Sequence, residues 1–166
     1  MRRALCGMHL TVDVLTMTYL EIGDWSHMQA AAQKVRNAVF IQEQGISPED
    51  EWDADDATAL HAVLFDAEGE PLGNARLLPT SANVAKVGRM AVLKEARGQG
   101  YGARLLKAML LEARRCGHQE VRLSAQRTAE QFYALHGFTA IGEPFVEVGI
   151  AHVEMRLMLK SLDIVA

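Results

Sequence analysis

Six consecutive residues, Arg97 to Gly102, have the composition of a loop that binds a phosphate group. Their sequence is Arg-Gly-Gln-Gly-Tyr-Gly, and glycine at alternate positions allows backbone conformations that a Cβ atom would resist. The loop follows an apolar run, Val87–Leu93, that predicts a strand, and precedes 103–116, whose apolar spacing predicts an amphipathic helix. Unpaired amides at a helix start, together with the helix dipole, attract anions, and Arg97 adds a positive charge. The sequence therefore predicts a phosphate site, with a plain glycine-rich turn as the alternative.

Three classes of phosphate ligand can be compared with this loop. A nucleoside triphosphate loop ends in Gly-Lys-Ser/Thr, whereas this loop continues as Gly-Ala-Arg. The dinucleotide pattern fits poorly, because residues 94–97 separate the strand from the glycines and Glu120 opens the next strand instead of closing it. The spacing Arg-x-x-Gly-x-Gly at Arg97, Gly100 and Gly102 resembles the coenzyme A pyrophosphate loop of the GNAT superfamily of N-acetyltransferases.

A second pattern lies further along the chain. Gln126-x-x-Ala129-x-x-Phe132-Tyr133, followed by Gly137-Phe138, resembles a later helix and turn of the same superfamily. The resemblance extends over about residues 19–159. Segments 39–61 and 149–155 resemble a small bacterial subgroup of N-acetyltransferases, and acyl-homoserine lactone synthases are a more distant resemblance.

The resemblance implies an α/β fold with a mixed, mostly antiparallel sheet of about seven strands and about four helices. The sheet is expected to be splayed between the fourth and fifth strands. A helix is predicted to begin at the N-cap Ser26, in a capping box with Gln29, and to end by Gly45. The predicted strands are 19–22, 60–65, 72–78, 86–93, 121–125, 138–141 and 152–159.

Length and composition limit the function classes. The 166 residues suffice for one domain, predicted over 17–166, after an extension at 1–16 whose first ten or so residues are expected to be poorly ordered. A net charge of −4 disfavours nonspecific binding of nucleic acid, and no apolar run is long enough to span a membrane. Cys116 falls on an apolar helix face and is predicted to be a buried thiol, in a cytoplasmic protein. The histidines lack the spacing of metal ligands, so no metal is expected.

The resemblance implies acetyl-CoA as the co-substrate. Its pantetheine arm is expected to pair with the free edge of the fourth predicted strand through main-chain groups, like an added strand. A main-chain amide near Ala91 is expected to polarise the thioester carbonyl. The residues predicted to contact acetyl-CoA are Met90, Ala91, Val92, Arg97, Gly98, Gln99, Gly100, Tyr101, Gly102, Gln126 and Phe132.

The implied reaction is direct attack of an amine on the thioester. Tyr133 matches the position of the superfamily's general acid, with ring packing as the alternative role. The general base stays open among Glu43, His61, His152 and Glu154. The acidic run from Glu43 to Asp56 is either a solvated loop or a wall that attracts a cationic acceptor. The residues predicted to bind the acceptor are Glu43, Trp52, His61, Arg89 and His152.

Three functions are therefore compared. The first is an acetyl-CoA-dependent N-acetyltransferase acting on a primary amine of a small molecule or peptide, with a homodimer allowed. The second is a coenzyme A-binding sensor or interaction module without turnover. The third is an acyltransferase similar to acyl-homoserine lactone synthases. The predicted acid at Tyr133 favours the first function over the second.

Overall fold

The computed structural model describes residues 8–15 and 17–160, which form one mixed sheet with helices on both faces. The strand order is β1-β2-β3-β4-β5-β6-β8-β7, and every neighbouring pair is antiparallel except β5 and β6. The strands are β1 His9–Asp13, β2 Thr18–Gly23, β3 Leu60–Phe65, β4 Pro71–Pro79, β5 Val84–Val92, β6 Glu120–Gln126, β7 Thr139–Glu147 and β8 Ile150–Met158. The predicted mixed, mostly antiparallel fold is confirmed.

The helices are α1 Trp25–Arg36, α2 Pro48–Glu51, α3 Tyr101–Arg115 and α4 Glu130–Leu135. A π-helical segment, Asn37–Glu43, continues α1, and short 3₁₀ turns occupy 54–57, 94–96 and 127–129. Among the described residues, no helix is both long and apolar enough to cross a membrane.

The two faces of the sheet are covered by different helices. Leu64 of β3 packs in the cluster that includes Leu105 and Met109 of α3, whereas its neighbour Val63 packs with Met28 of α1. This alternation follows from the period of two along a strand. The crossover through α3 makes β5 and β6 parallel, because a parallel pair needs a long connection.

The β-strand β1 was not predicted. Its residues pair antiparallel with β2, from His9↔Ile22 to Asp13↔Thr18, so the sheet has eight strands in the described part of the chain. Leu10 and Val12 stay more than half exposed, so the pairing rests on main-chain hydrogen bonds and leaves little apolar burial signal in the sequence. The start predicted to be poorly ordered, about residues 1–10, lies outside the described residues over 1–7, and its last two residues, His9 and Leu10, belong to β1.

Two local predictions were wrong. The N-cap of α1 is Asp24, whose Oδ1 accepts the His27 amide at 3.1 Å, and Ser26 lies inside the helix. The Asp24 carboxylate prevails because it also accepts the Ser26 hydroxyl at 2.6 Å, so it binds two donors at once. Cys116 is half-buried and disulfide-bonded, where a thiol was predicted. The predicted stop at Gly45 is confirmed, since this residue has a φ of +73° and follows Gln44, the C-cap of the π-helical segment.

The divergence of β5 and β6 creates the main opening in the sheet. The two strands pair only over Val84–Lys86 and 120–122, and the C-terminal half of β5 has no partner on that side. A register shift between β4 and β5 accompanies the divergence, and Arg89 at this bulge has a φ of +50°. The buried Asn74 amide donates to the Arg89 carbonyl at 3.0 Å, which holds the bulge in place. The predicted splay is thus present.

Candidate active site

A cavity of about 620 Å³ lies where β5 and β6 diverge. Its other walls come from the π-helical segment with the acidic loop, from α4, and from the turn between β7 and β8. The predicted site residues that line it are Arg89, Met90, Ala91, Val92, Arg97, Gln126, Tyr133 and His152. The predicted site residues that do not line it are Glu43, Trp52, His61, Gly98, Gln99, Gly100, Tyr101, Gly102 and Phe132.

The glycine loop stands beside this cavity with one face open. Gly98 and Gly100 both have a φ of +80°, and a Cβ added to either would meet no atom within 4 Å. The first main-chain bond of α3 runs from the Arg104 amide to the Gly100 carbonyl at 3.1 Å. The main-chain N–H groups that precede Arg104 therefore have no acceptor within the helix. Free amides beneath open space are what an anion site requires.

Arg97 ties the loop to two neighbouring elements. Its guanidinium forms a two-pronged ion pair with Glu43, at 2.7 Å for each N–O contact, and its Nε donates to the Val92 carbonyl at 3.0 Å. The hydrogen bonds from Arg97 lower the pKa of Glu43, which stays ionised at neutral pH. The charge of Arg97 is thus largely balanced, so the attraction of the loop for an anion depends mainly on its amides.

Tyr133 is almost fully buried at the wall of the cavity. Its ring packs edge-on against Phe132 at 5.1 Å and Phe138 at 6.0 Å between centroids. Burial raises the pKa of Tyr133 to about 12. Within residues 8–15 and 17–160, no group hydrogen-bonds its hydroxyl. The phenol is therefore neutral at physiological pH and free to donate to a group in the cavity.

Sequence reasoning missed a buried ion network beneath the acidic loop. Arg36 of α1 is 0% exposed, and it donates to Glu51 at 2.7 Å and to Asp56 at 2.8 Å. Arg76 of β4 donates to Asp53 at 2.7 Å and to Asp56 at 3.0 Å. A signal was present, since an arginine inside an apolar helix or strand pattern is costly to bury without a partner.

Arg89 joins the same network from the bulge of β5. Its Nη2 donates to the Glu51 carbonyl at 3.0 Å and to Asp53 at 3.1 Å. Three arginines thus balance the three acids Glu51, Asp53 and Asp56. These three carboxylates are therefore ion-paired with arginines that anchor the loop, and they do not form an unpaired acidic surface for a cationic acceptor.

Two predicted residues, His61 and Trp52, support this network from behind. His61 is 0% exposed, donates from Nε2 to the Asp56 carbonyl at 2.9 Å, and packs on Trp25 at 4.7 Å. Burial lowers the pKa of His61, so its ring is neutral. Trp52 covers Arg36, whose Cζ lies 4.9 Å from the ring centroid. The sequence placed both residues near the acceptor site, but it could not show that they pack behind the ion network instead of lining the cavity.

Comparison with known proteins identifies the family. The family model for the acetyltransferase (GNAT) domain matches residues 28–159. The chain belongs to the GNAT acetyltransferase family. A UPF0039 protein of Mycobacterium tuberculosis is 38% identical over 127 residues, which cover 74% of this GNAT chain and 79% of the relative.

Solved structures share the fold of this GNAT chain. An acyl-CoA N-acyltransferase from Pseudomonas aeruginosa is 28% identical, with a TM-score of 0.74, and the match covers 90% of this chain and 99% of that one. A GNAT family acetyltransferase from Elizabethkingia anophelis, solved with acetyl-CoA bound, is 15% identical. Its TM-score is 0.61, over 86% of this chain and 99% of that one, a likeness that shows the fold alone.

Proposed function

We propose that the protein transfers an acetyl group from acetyl-CoA to a primary amine of a small molecule or peptide. The observation that carries this proposal is the unpaired half of β5, whose residues Met90–Val92 line the same cavity as Tyr133. An extended, amide-bearing pantetheine arm can pair with such a strand edge. Family membership supports acyl transfer as the reaction class.

The glycine loop suits the pyrophosphate of coenzyme A. The open space above Gly98 and Gly100 leaves room for a bulky anion, and the first amides of α3 supply donors. Arg97 acts here as a positioning residue, because its side chain is already engaged by Glu43 and Val92. Gln99, Tyr101, Gly102, Gln126 and Phe132 complete the proposed contacts with the co-substrate.

The reaction proceeds by direct attack. The neutral amine forms a C–N bond with the thioester carbon, and a main-chain amide near Ala91 stabilises the oxyanion. The C–S bond then breaks, and the Tyr133 hydroxyl donates to the departing sulfur. The amine loses one proton and the thiol gains one, so the products are an amide and free coenzyme A.

The acceptor approaches from the side of the acidic loop. Arg89 lines the cavity there, while Glu43, Trp52 and His61 hold the surrounding elements. With Glu51 paired to arginines, attraction of a cationic amine falls to Asp50, Asp55 and Glu147. These acids also line the cavity and have no ion pair within the described residues.

A turnover assay with a panel of amines tests the proposal. Free thiol is measured during incubation with acetyl-CoA and, in turn, polyamines, amino sugars, amino acids and peptides. We expect thiol release with one amine class, together with a product heavier by one acetyl group. Tight acetyl-CoA binding without turnover on any amine would instead favour the coenzyme A-binding module. Turnover only with long acyl chains would favour the resemblance to acyl-homoserine lactone synthases.

A further inference from the structure

We propose that His152 is the general base that removes the proton from the acceptor amine, an inference that rests on the proposed acetyl transfer. His152 lies on β8 opposite Gln126 of β6, at the open end of the diverging strands. Its side chain lines the cavity, yet the residue is only 7% exposed. A base in this position meets the acceptor without wide access to solvent.

The hydrogen bond of His152 fixes which ring nitrogen can accept a proton. Nδ1 lies 2.7 Å from the Ile150 carbonyl oxygen. Because a carbonyl only accepts, Nδ1 must carry the hydrogen, and the lone pair of the neutral ring is on Nε2. Within the described residues, no hydrogen bond or ion pair engages Nε2. Stacking on Phe145, with centroids 5.8 Å apart, further restricts the ring orientation.

Charged groups on three neighbouring elements surround His152. β7 carries Glu143 and Glu147, and Glu147 shares the cavity wall with the imidazole. On its own strand, Glu154 lies 3.7 Å from Arg122, and on the adjoining 3₁₀ turn Arg127 pairs with Glu130 at 3.1 Å. Glu147 therefore shares the cavity wall with His152 and, like Asp50 and Asp55, has no ion pair within the described residues.

The other candidate bases are engaged or misplaced. Glu43 is held on both oxygens by Arg97, and it does not line the cavity. His61 is fully buried behind the ion network, where its free Nδ1 is enclosed. Glu154 lies outside the cavity lining, near Arg122. Only His152 among the four combines a lone pair with a place on the cavity wall.

Every proton of the reaction can be followed when His152 is the general base. The ammonium form of the acceptor gives one proton to His152 Nε2, and the resulting neutral amine attacks the thioester. The attack leaves the former amine nitrogen with a further proton, which passes to solvent as the amide forms. The Tyr133 hydroxyl donates a hydrogen bond to the departing thiolate, which takes a proton from solvent, and the imidazolium of His152 returns its proton to solvent.

Three variants test the proposal in the full chain, with the fastest acceptor of the amine panel. We expect His152→Gln to lower kcat/KM about 100-fold, the low end for a general base, with acetyl-CoA affinity unchanged in calorimetry. We expect added imidazole to restore part of the activity of His152→Ala. His136→Gln is the matched control, because His136 makes the same Nδ1–carbonyl contact, 2.8 Å to Phe132, but does not line the cavity.

The pH profile separates catalysis from packing. The kcat/KM of the parent is measured from pH 5 to 8 with two acceptors whose amines have different pKa values. A limb of the pH profile whose midpoint is the same for both acceptors reports a group of the enzyme and not the amine. We expect that limb in the parent and in His136→Gln, and its loss in His152→Gln.

Several other results would overturn the base assignment, and one of them would also overturn the proposed function. A His152→Gln rate within about threefold of the parent, or an unaltered limb, overturns the base assignment while acetyl transfer stands. Weakened acetyl-CoA binding in both His152 variants, without imidazole rescue, also overturns it. A parent that binds acetyl-CoA but acetylates no amine overturns the proposed function, and the base assignment with it.

Discussion

Replacing Tyr133 with phenylalanine removes one hydroxyl from the cavity and keeps the ring that packs on Phe132 and Phe138. The folded protein should lose nothing in stability, since no group in the described part of the chain hydrogen-bonds this hydroxyl. We therefore expect an unchanged melting temperature and unchanged acetyl-CoA affinity. The effect should appear in kcat.

The size of the effect follows from the environment of Tyr133. Burial raises its pKa to about 12, whereas an alkyl thiol has a pKa of about 8.5. Complete proton transfer to the thiolate is then uphill by roughly 3.5 pK units, or about 5 kcal/mol. The hydroxyl therefore acts as a hydrogen-bond donor to the developing charge, worth about 1.5–3 kcal/mol. This corresponds to a loss of roughly 10- to 150-fold in kcat.

Single-turnover kinetics with acetyl-CoA and the best acceptor measure this step directly. Tyr19→Phe is the matched control, because Tyr19 stacks on Phe65 at 5.0 Å, away from the cavity. The raised pKa also predicts the pH dependence of the rate. Because the phenol stays protonated up to about pH 12, the parent should keep its rate well above pH 10. A Tyr133→Phe rate within about twofold of the parent, with chemistry rate-limiting, would refute this role.

Three further predictions concern the loop, the ion network and the acceptor. Gly100→Val should abolish calorimetric acetyl-CoA binding, whereas Gly117→Val, with a similar φ of +85° at the far end of α3, should bind normally; equal affinities would exclude the loop as the site. Asp56→Asn should lower the free energy of unfolding in urea by about 3–5 kcal/mol, because it breaks a buried pair, and a loss below about 1 kcal/mol would argue against the network. Asp55→Asn with Glu147→Gln should raise KM for cationic acceptors and weaken its salt dependence, and an indifferent KM would make these acids solvated surface.

The sequence alone predicted those structural elements whose signals lie within a few adjacent residues. Strand β3 was predicted with its observed bounds, because it is a short apolar run, interrupted only by His61, that a polar turn follows directly. The glycine loop was predicted from six adjacent residues, and the stop at Gly45 from a single left-handed position. The divergence of β5 from β6 came from the family resemblance, since no local pattern encodes it.

The contacts that were missed join residues far apart in the chain. Arg36 meets Asp56 across 20 positions, and Arg97 meets Glu43 across 54. An acidic run reads the same from sequence whether it is solvated or paired, because the arginines arrive from other elements. His152 is a different case, because its Nδ1 bonds to the Ile150 carbonyl only two residues away, a local contact that the residue types alone do not reveal.

Direct transfer of an acetyl group to an amine, within the cavity between β5 and β6, requires that no acetylated protein forms on the way. The most direct measurement uses acetyl-CoA labelled in its acetyl carbon, with the parent protein and the best acceptor, followed by mass spectrometry of product and protein. We expect labelled amide in one-to-one ratio with free coenzyme A, and no label covalently attached to the protein at any time. Labelled protein that forms and decays during turnover, or labelled free acetate in place of labelled amide with every amine, would contradict it.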